Sequence, residues 1–338
     1  RRRLWVATIA ASVGCQSAPT DWCIPSQDAA ETDGQASDDS ELLTDTQTES
    51  RDTGAVSDTH DIHDTGSFDA PVDPIRAVQI TAGKAHTCAL LDDQSAVCWG
   101  SNASEQLETP DVLFTQIDAG AYHTCGLTTE LEIECWGWSG ALEFEPPTGS
   151  FTAVVSAYRH SVAIGIDGAV AWGEEGILLT SQEPDEGDLS DLSCGLQHCV
   201  VLRSGGASLT WGGPYYVLGD PEDQLFTDVD AGYYHTCGVT EAGALECWGY
   251  DTSGQISPPT GQDFRSVSCG GSHCCALDRE GLAHCWGADH AGQSSPPETP
   301  FVDLSAGDQH TCGRTEAGDV ECWGNDAQGQ CSIPSAEP

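Results

Sequence analysis

Residues 231–249 read A-G-Y-Y-H-T-C-G-V-T-E-A-G-A-L-E-C-W-G, and versions of this stretch recur seven times between positions 82 and 324. The Trp-Gly pairs that close it begin at Trp99, Trp136, Trp172, Trp211, Trp248, Trp286 and Trp323, always 36 to 39 residues apart. A period that regular marks a chain built from like structural units. In the quoted copy two short strand-like runs, 235–239 and 244–248, flank a turn at Glu241, Ala242 and Gly243, and a further alternating run at 226–231 leads into them. Breaks such as Pro146-Pro147, Pro258-Pro259 and Pro296-Pro297 separate the units. The repeats lack helix-period segments, and glycine is abundant. The expectation is an all-β ring of seven blades over residues 75–338.

Two segments precede the ring. Arg1-Arg2-Arg3 and the apolar run 4–13 have the form of a secretory signal, too short to span a bilayer. The run ends Ser12-Val13-Gly14-Cys15, which resembles a bacterial lipobox except that Ser12 stands where leucine is usual, so Cys15 is the candidate lipidation site of a segment 1–15. Residues 16–74 are rich in Asp, Thr and Ser with few large apolar side chains, a composition that does not bury enough surface to fold and reads as a disordered acidic tether. His60 and His63 within it read as low-complexity coincidence rather than a metal site.

The 338 residues carry 54 acidic and 11 basic side chains, a formal charge of −43, and Lys84 is the sole lysine. Residues 75–338 alone hold 39 acidic and 7 basic residues. Nucleic acid and anionic membrane surfaces are repelled by such a chain, which leaves the N-terminal lipid as the expected route to a membrane.

Seventeen cysteines fit an oxidising compartment. Aligned repeats pair Cys88 with Cys98, Cys125 with Cys135, Cys237 with Cys247, Cys275 with Cys285 and Cys312 with Cys322, each ten residues apart, while the other two repeats lose both positions together, to Val162 with Ala171 and Val200 with Thr210. Ten residues centred on a turn place two side chains opposite each other on antiparallel strands, where a disulfide closes. Cys194 with Cys199 and Cys269 with Cys274 are two further expected pairs, and Cys23 with Cys331 is a possible tie from the N-terminal segment to the last repeat. Zinc is the rival reading; with one pair per blade and blades that splay apart, a four-ligand site is not expected. The seven histidines at one repeat position, His86, His123, His160, His198, His235, His273 and His310, invite a metal or anion ring, but a repeated backbone hydrogen bond is the simpler role. The seven Trp-Gly tryptophans read as blade core.

The pattern A-G-x-x-H-T-C-A-L, then V-x-C-W-G-x-N, then G-Q, seen at 82–102 and again at 307–325 with Gly329-Gln330, resembles the repeats of the regulator of chromosome condensation (RCC1) family. The ending G-Q-x-x-x-P at Gly254-Gln255 and Pro258 is similar to bacterial secreted members of the BLIP-II inhibitor type. This RCC1/BLIP-II resemblance implies a seven-bladed β-propeller, in a family whose members serve as exchange factors, inhibitors and docking modules. The two residues between Gly and His vary while the frame stays constant, and a strand-joining turn is expected to expose them. Lys84, Tyr122, Tyr158, Arg159, Tyr233, Tyr234, Asp308 and Gln309 are therefore the candidate binding residues, aromatic side chains being common protein-binding anchors. In the inhibitor family such aromatics form the binding face; the alternative is that these tyrosines only pack on neighbouring blades. Loops after Trp-Gly, with Trp138, Tyr250, Asp289, His290 and Asp326, offer a second candidate surface.

No nucleophile elbow, zincin, phosphate-loop or dinucleotide motif is present, and the carboxylates read as scattered at turns without recurring pairing. The expected function is an exported, surface-tethered, monomeric and non-enzymatic module binding a protein or a cell-envelope polymer, with no cofactor or metal. The alternatives are a lyase or hydrolase using channel-mouth Asp, Glu and His, and guanine-nucleotide exchange, which conflicts with export and the cysteines.

Overall fold

The computed structural model describes residues 76–138, 145–165, 168–173, 189–212, 221 and 224–334. The signal segment with Cys15 and the acidic tether with Cys23 lie outside the described residues; Cys331, the possible partner of Cys23, lies within them as a free cysteine whose Sγ donates to the Asn325 carbonyl at 3.4 Å.

Seven three-stranded antiparallel sheets follow one another along the chain, and among the described residues no helix occurs. In the first blade β1 (Ala77–Ala82) pairs with β2 (His86–Leu91), which pairs with β3 (Ala96–Gly100). The equivalents of β1 are β4 (Phe114–Ala119), β7 (Phe151–Ser156), β10 (Leu189–Cys194), β13 (Phe226–Ala231), β16 (Phe264–Cys269) and β19 (Asp303–Ala306). These seven strands line one central cavity, so each blade runs outward from its first strand.

The hydrophobic core lies between blades. Phe114, Phe226, Phe264 and Phe301 are almost completely buried, and six of the seven Trp-Gly tryptophans are buried beside them. Trp323 is half-buried and stacks on Phe301, ring centroids 5.7 Å apart. The indole N–H of Trp99, Trp136, Trp286 and Trp323 donates to the backbone carbonyl of Gln330, Gln106, Gln255 and Gln293, the glutamine that ends the preceding repeat. The bond from Trp99 to Gln330 joins the last repeat to the first and closes the ring.

The histidines do something other than the backbone bond expected of them. Nε2 of His86, His273 and His310 meets the hydroxyl of Thr124, Thr311 and Thr87 at 2.8–2.9 Å, and His123 meets Ser161 at 2.8 Å, in each case on the second strand of the next blade. The residue after each histidine is therefore the partner of the histidine one repeat earlier. Burial drives these imidazoles neutral, His86, His123 and His273 to a pKa of about 3 and His310 to about 4.

Five disulfides join the middle and outer strands, 88–98, 125–135, 237–247, 275–285 and 312–322, at Cα separations of 4.0–4.1 Å. The strand register sets Cys88 opposite Cys98 and likewise for the other four, which is the geometry a cross-strand disulfide needs. Cys194–Cys199 and Cys269–Cys274 join inner to middle strands at a different position, the one filled by Ala82 and Thr87 in the first blade. In the third blade Ser156 and Ser161 occupy it and share a hydrogen bond of 3.3 Å.

Candidate functional site

The turn between the first two strands of each blade and the residue after Trp-Gly lie at the same end of the sheet, because the hairpin register sets His235 opposite Gly249. The backbone N–H of Tyr250 donates to the carbonyl of Tyr234, and that of Trp138 to Tyr122, both at 2.9 Å. The two surfaces that sequence treats separately are thus one face.

On that face six aromatic rings form a continuous arc. Trp138 meets Tyr122 at 6.2 Å between centroids, Tyr122 meets Tyr158 at 5.7 Å, Tyr158 meets Tyr233 at 5.4 Å, Tyr233 meets Tyr234 at 6.4 Å, and Tyr234 meets Tyr250 at 6.2 Å. Most contacts are edge-to-face, the arrangement the ring quadrupole favours. The turn tyrosines are half-buried against one another, whereas Tyr250 is 52% exposed. Packing on neighbouring blades and forming a surface are therefore compatible roles here.

Two cations sit within the arc. Lys84 Nζ donates to Tyr122 Oη at 2.8 Å and lies 5.0 Å from that ring's centroid, and the Arg159 guanidinium is 5.5 Å from the centroids of Trp138 and Tyr158. Burial pulls the Lys84 pKa down, but the hydrogen bond it donates to Tyr122 and the nearby Tyr158 and Asp308 outweigh it, so the net shift is upward. Gln309 belongs to the polar half of the face, where its Oε1 lies 3.3 Å from His290 Nε2 and 3.4 Å from Asn325 Nδ2. All eight sequence-selected residues are thus on one face.

Lys84, Tyr158, Tyr233 and Asp308 come from the first, third, fifth and seventh blades and meet across the mouth of the central cavity. Lys84 lies over Tyr158, Tyr158 over Tyr233, and Tyr233 hydrogen-bonds Asp308. Small residues between them, Ala121 and Gly271, leave the long side chains room. A Cβ at Gly271 would run into the Asp308 carboxylate.

Beneath the mouth is a cavity of about 350 Å³ whose walls carry Asp118, Asp191, Asp228, Asp230 and Asp303. The carboxylates are not scattered as sequence suggests. Asp118 and Asp230 stand immediately before an Ala-Gly pair, and Asp191, Asp228 and Asp303 two residues earlier in the same register, a position-specific signal present within the repeats. Strand alternation turns both positions inward. Polar side chains there grip the backbone of the next blade: Asp118 accepts from Ser156 N at 2.6 Å, Asp228 from Val267 N and Asp230 from Cys269 N at 2.7 Å, and Ser305 from Ala82 N at 2.9 Å. Gln79 and Gln116 do the same with both amide atoms. Burial raises Asp118 to about 7, Asp228 to about 8 and Asp230 to about 6 despite those donors.

The seam between blades five and six also departs from expectation. Sγ of Cys237 in one blade lies 3.5 Å from Sγ of Cys274 in the next, so cysteines of adjacent blades do meet.

The architecture is that of a seven-bladed propeller made of RCC1 repeats. The regulator of chromosome condensation (RCC1) repeat model matches residues 77–106, 226–255, 264–293 and 301–330, so the chain carries RCC1 repeats in four of its seven blades. Each matched segment ends on one of the buried glutamines, Gln106, Gln255, Gln293 and Gln330. Among solved structures the chain is similar to the ectodomain of the receptor kinase CR4 from Physcomitrella patens, with TM-score 0.64 and 23% identity over 74% of each chain. It is similar too to the CRINKLY ectodomain of the Arabidopsis thaliana receptor kinase ACR4, with TM-score 0.63 and 23% identity over 74% of this chain and 98% of that one. Prp20p from Saccharomyces cerevisiae, described with its binding to Gsp1p and histones, follows at TM-score 0.58 and 16% identity over 68% and 80%. At these identities the likeness is one of fold. No curated protein matches the sequence.

Proposed function

We propose that the chain is an exported, non-enzymatic docking propeller that binds a partner protein through the face carrying Trp138, Tyr122, Tyr158, Tyr233, Tyr234 and Tyr250. The observation that carries this reading is the unbroken arc of half-buried aromatic rings with Arg159 packed into it, since tyrosine, tryptophan and arginine dominate protein-binding hot spots. The rings already brace one another, so little side-chain freedom is lost on binding. Seven disulfides support an oxidising destination. Prp20p, a propeller of similar fold, is described binding Gsp1p and histones, and protein docking is the use of the scaffold that carries over most readily. A partner with basic residues around an apolar centre suits the acidic ring, which steers such a surface toward it.

The cavity carboxylates favour a structural role over hydrolase or lyase chemistry, because Asp118, Asp228 and Asp230 each accept a main-chain N–H of the next blade.

Lys84, the sole lysine, stands inside the proposed face and takes an amine-directed photocrosslinker. Crosslinking in envelope extracts is expected to yield a discrete partner that Tyr233→Ala with Tyr234→Ala diminishes at least tenfold, about 1.4 kcal/mol. Equal yields from both proteins remove the face from consideration.

A further inference from the structure

Three ligand-type atoms, of His235, Cys269 and Cys274, converge at the seam between the fifth and sixth blades, and a fourth, Sγ of Cys237, lies beside one of them. Cys274 occupies the position that carries a threonine in most repeats, and its Sγ lies 3.1 Å from His235 Nε2 and 3.5 Å from Sγ of Cys237. Cys269 Sγ falls with those of His235 and Cys274 in a group whose ligand atoms are all within 4.8 Å of one another. All four residues are at most 6% exposed. With Zn–S about 2.3 Å and Zn–N about 2.0 Å, neighbouring ligands of a tetrahedral zinc stand roughly 3.5–3.8 Å apart. Two of the contacts, His235 to Cys274 and Cys237 to Cys274, already approach that spacing.

In the oxidised chain these sulfurs are committed to Cys237–Cys247 and Cys269–Cys274. We propose that, once these two disulfides are reduced, His235, Cys237, Cys269 and Cys274 hold one zinc ion at this seam. A trialkylphosphine is the reductant: two equivalents, with two water molecules, convert the two disulfides to four thiols and leave as two phosphine oxides. Zinc then displaces three protons, from Cys237, Cys269 and Cys274, and Cys247 remains a thiol. Nε2 of the buried His235 imidazole faces the Cys274 sulfur, and a ring nitrogen is an atom a metal takes. One sequence thus offers two ways to join the blades at this point, a covalent staple under oxidising conditions and a metal bridge under reducing ones.

The molecule contains its own comparison. At the seam between the third and fourth blades His160, Cys194 and Cys199 repeat the grouping, but Val162 stands where Cys237 stands, so only three ligands are present. At the remaining seams a threonine or serine faces the histidine.

The test uses the full chain reduced with a trialkylphosphine under anaerobic conditions and titrated with Co²⁺ and then Zn²⁺, with near-ultraviolet tryptophan dichroism reporting the fold. The reduced protein is expected to bind one ion, with tetrahedral thiolate–cobalt bands that zinc abolishes, and the oxidised protein none. Cys237→Val, which copies the third blade, is expected to weaken binding by more than about 100-fold, beyond the loss typical of an outer-shell change. Cys125→Val removes an equivalent disulfide beside a serine and is expected to leave binding unchanged. Val162→Cys adds the fourth ligand to the other seam and is expected to raise the stoichiometry from one to two. Absence of a bound ion, equal weakening by Cys237→Val and Cys125→Val, or one ion still bound by Val162→Cys each overturns the proposal.

Discussion

A buried imidazole has given up water and regains one partner from the adjacent sheet, so the residue after each histidine matters more than its chemistry suggests. Thr124 accepts or donates at 2.9 Å to His86, both residues being essentially inaccessible. Thr124→Val keeps the shape and leaves the His86 ring without that bond. It is expected to cost about 1–3 kcal/mol of unfolding free energy, measured by urea titration, whereas Thr124→Ser is expected to cost less than about 1 kcal/mol. Equal losses from the two variants would show that packing, and not the bond, decides the site. The histidine period is plain in the chain, but its partner was not legible. The two residues are 38 apart, and the pairing exists only once one blade lies against the next.

Within an element, the hairpin decides. Cys125 and Cys135 are directly opposed in the register and close a short loop. Replacing them with the Val and Ala that the third blade uses at these positions is expected to cost about 3 kcal/mol, the loop-closure entropy of some ten residues, read as a lower denaturation midpoint with little change in slope. These pairs are legible because the chain brings them together locally. The grip of one blade on the next is less uniform. Ala153 and Val155 of β7 stand where other blades carry Gln, Asp, Ser or Thr, and so offer no acceptor to β10. His160 Nε2 is also 4.0 Å from Cys199 Sγ, the longest of the seven histidine links. Amide hydrogens of β10 are expected to exchange faster than those of β13, which Ser193 and its neighbours hold. Uniform protection across the inner strands contradicts a weak third seam.

For the ring as a whole, two sets of buried titratable groups oppose each other. The seven imidazoles are depressed by burial to about 3 or 4 in the folded state. Their stabilisation is complete above the unfolded value near 6.5 and is lost as pH falls through the folded values. Burial raises Asp118, Asp228 and Asp230 to between about 6 and 8, with Asp191, Asp303 and Asp308 shifted the same way. Their contribution is complete below the unfolded value near 3.8 and is lost as pH rises through the folded ones. Imidazoles prevail below pH 6.5, and carboxylates alone act above it. Unfolding free energy is expected to peak near pH 6.5, falling on the acid side and by about 2 kcal/mol by pH 9. Asp228→Asn keeps an acceptor for Val267 N and flattens the alkaline limb. A curve level from pH 6.5 to 9 in the unaltered protein counts against this balance.

The repeat number, the three-run blade, the ten-residue cysteine pairs and the eight variable turn positions follow from residues close in the chain, where period and turn chemistry act directly. Which side chains meet across blades was decided by closure of the ring, since Asp118 and Ser156, Cys237 and Cys274, and Tyr158 and Tyr233 are more than 30 residues apart. A repeat specifies its own hairpins through local hydrogen bonding and alternation. Its neighbours, and with them the aromatic arc and the acidic cavity, are set only when seven sheets pack around a common axis and bury what each leaves exposed.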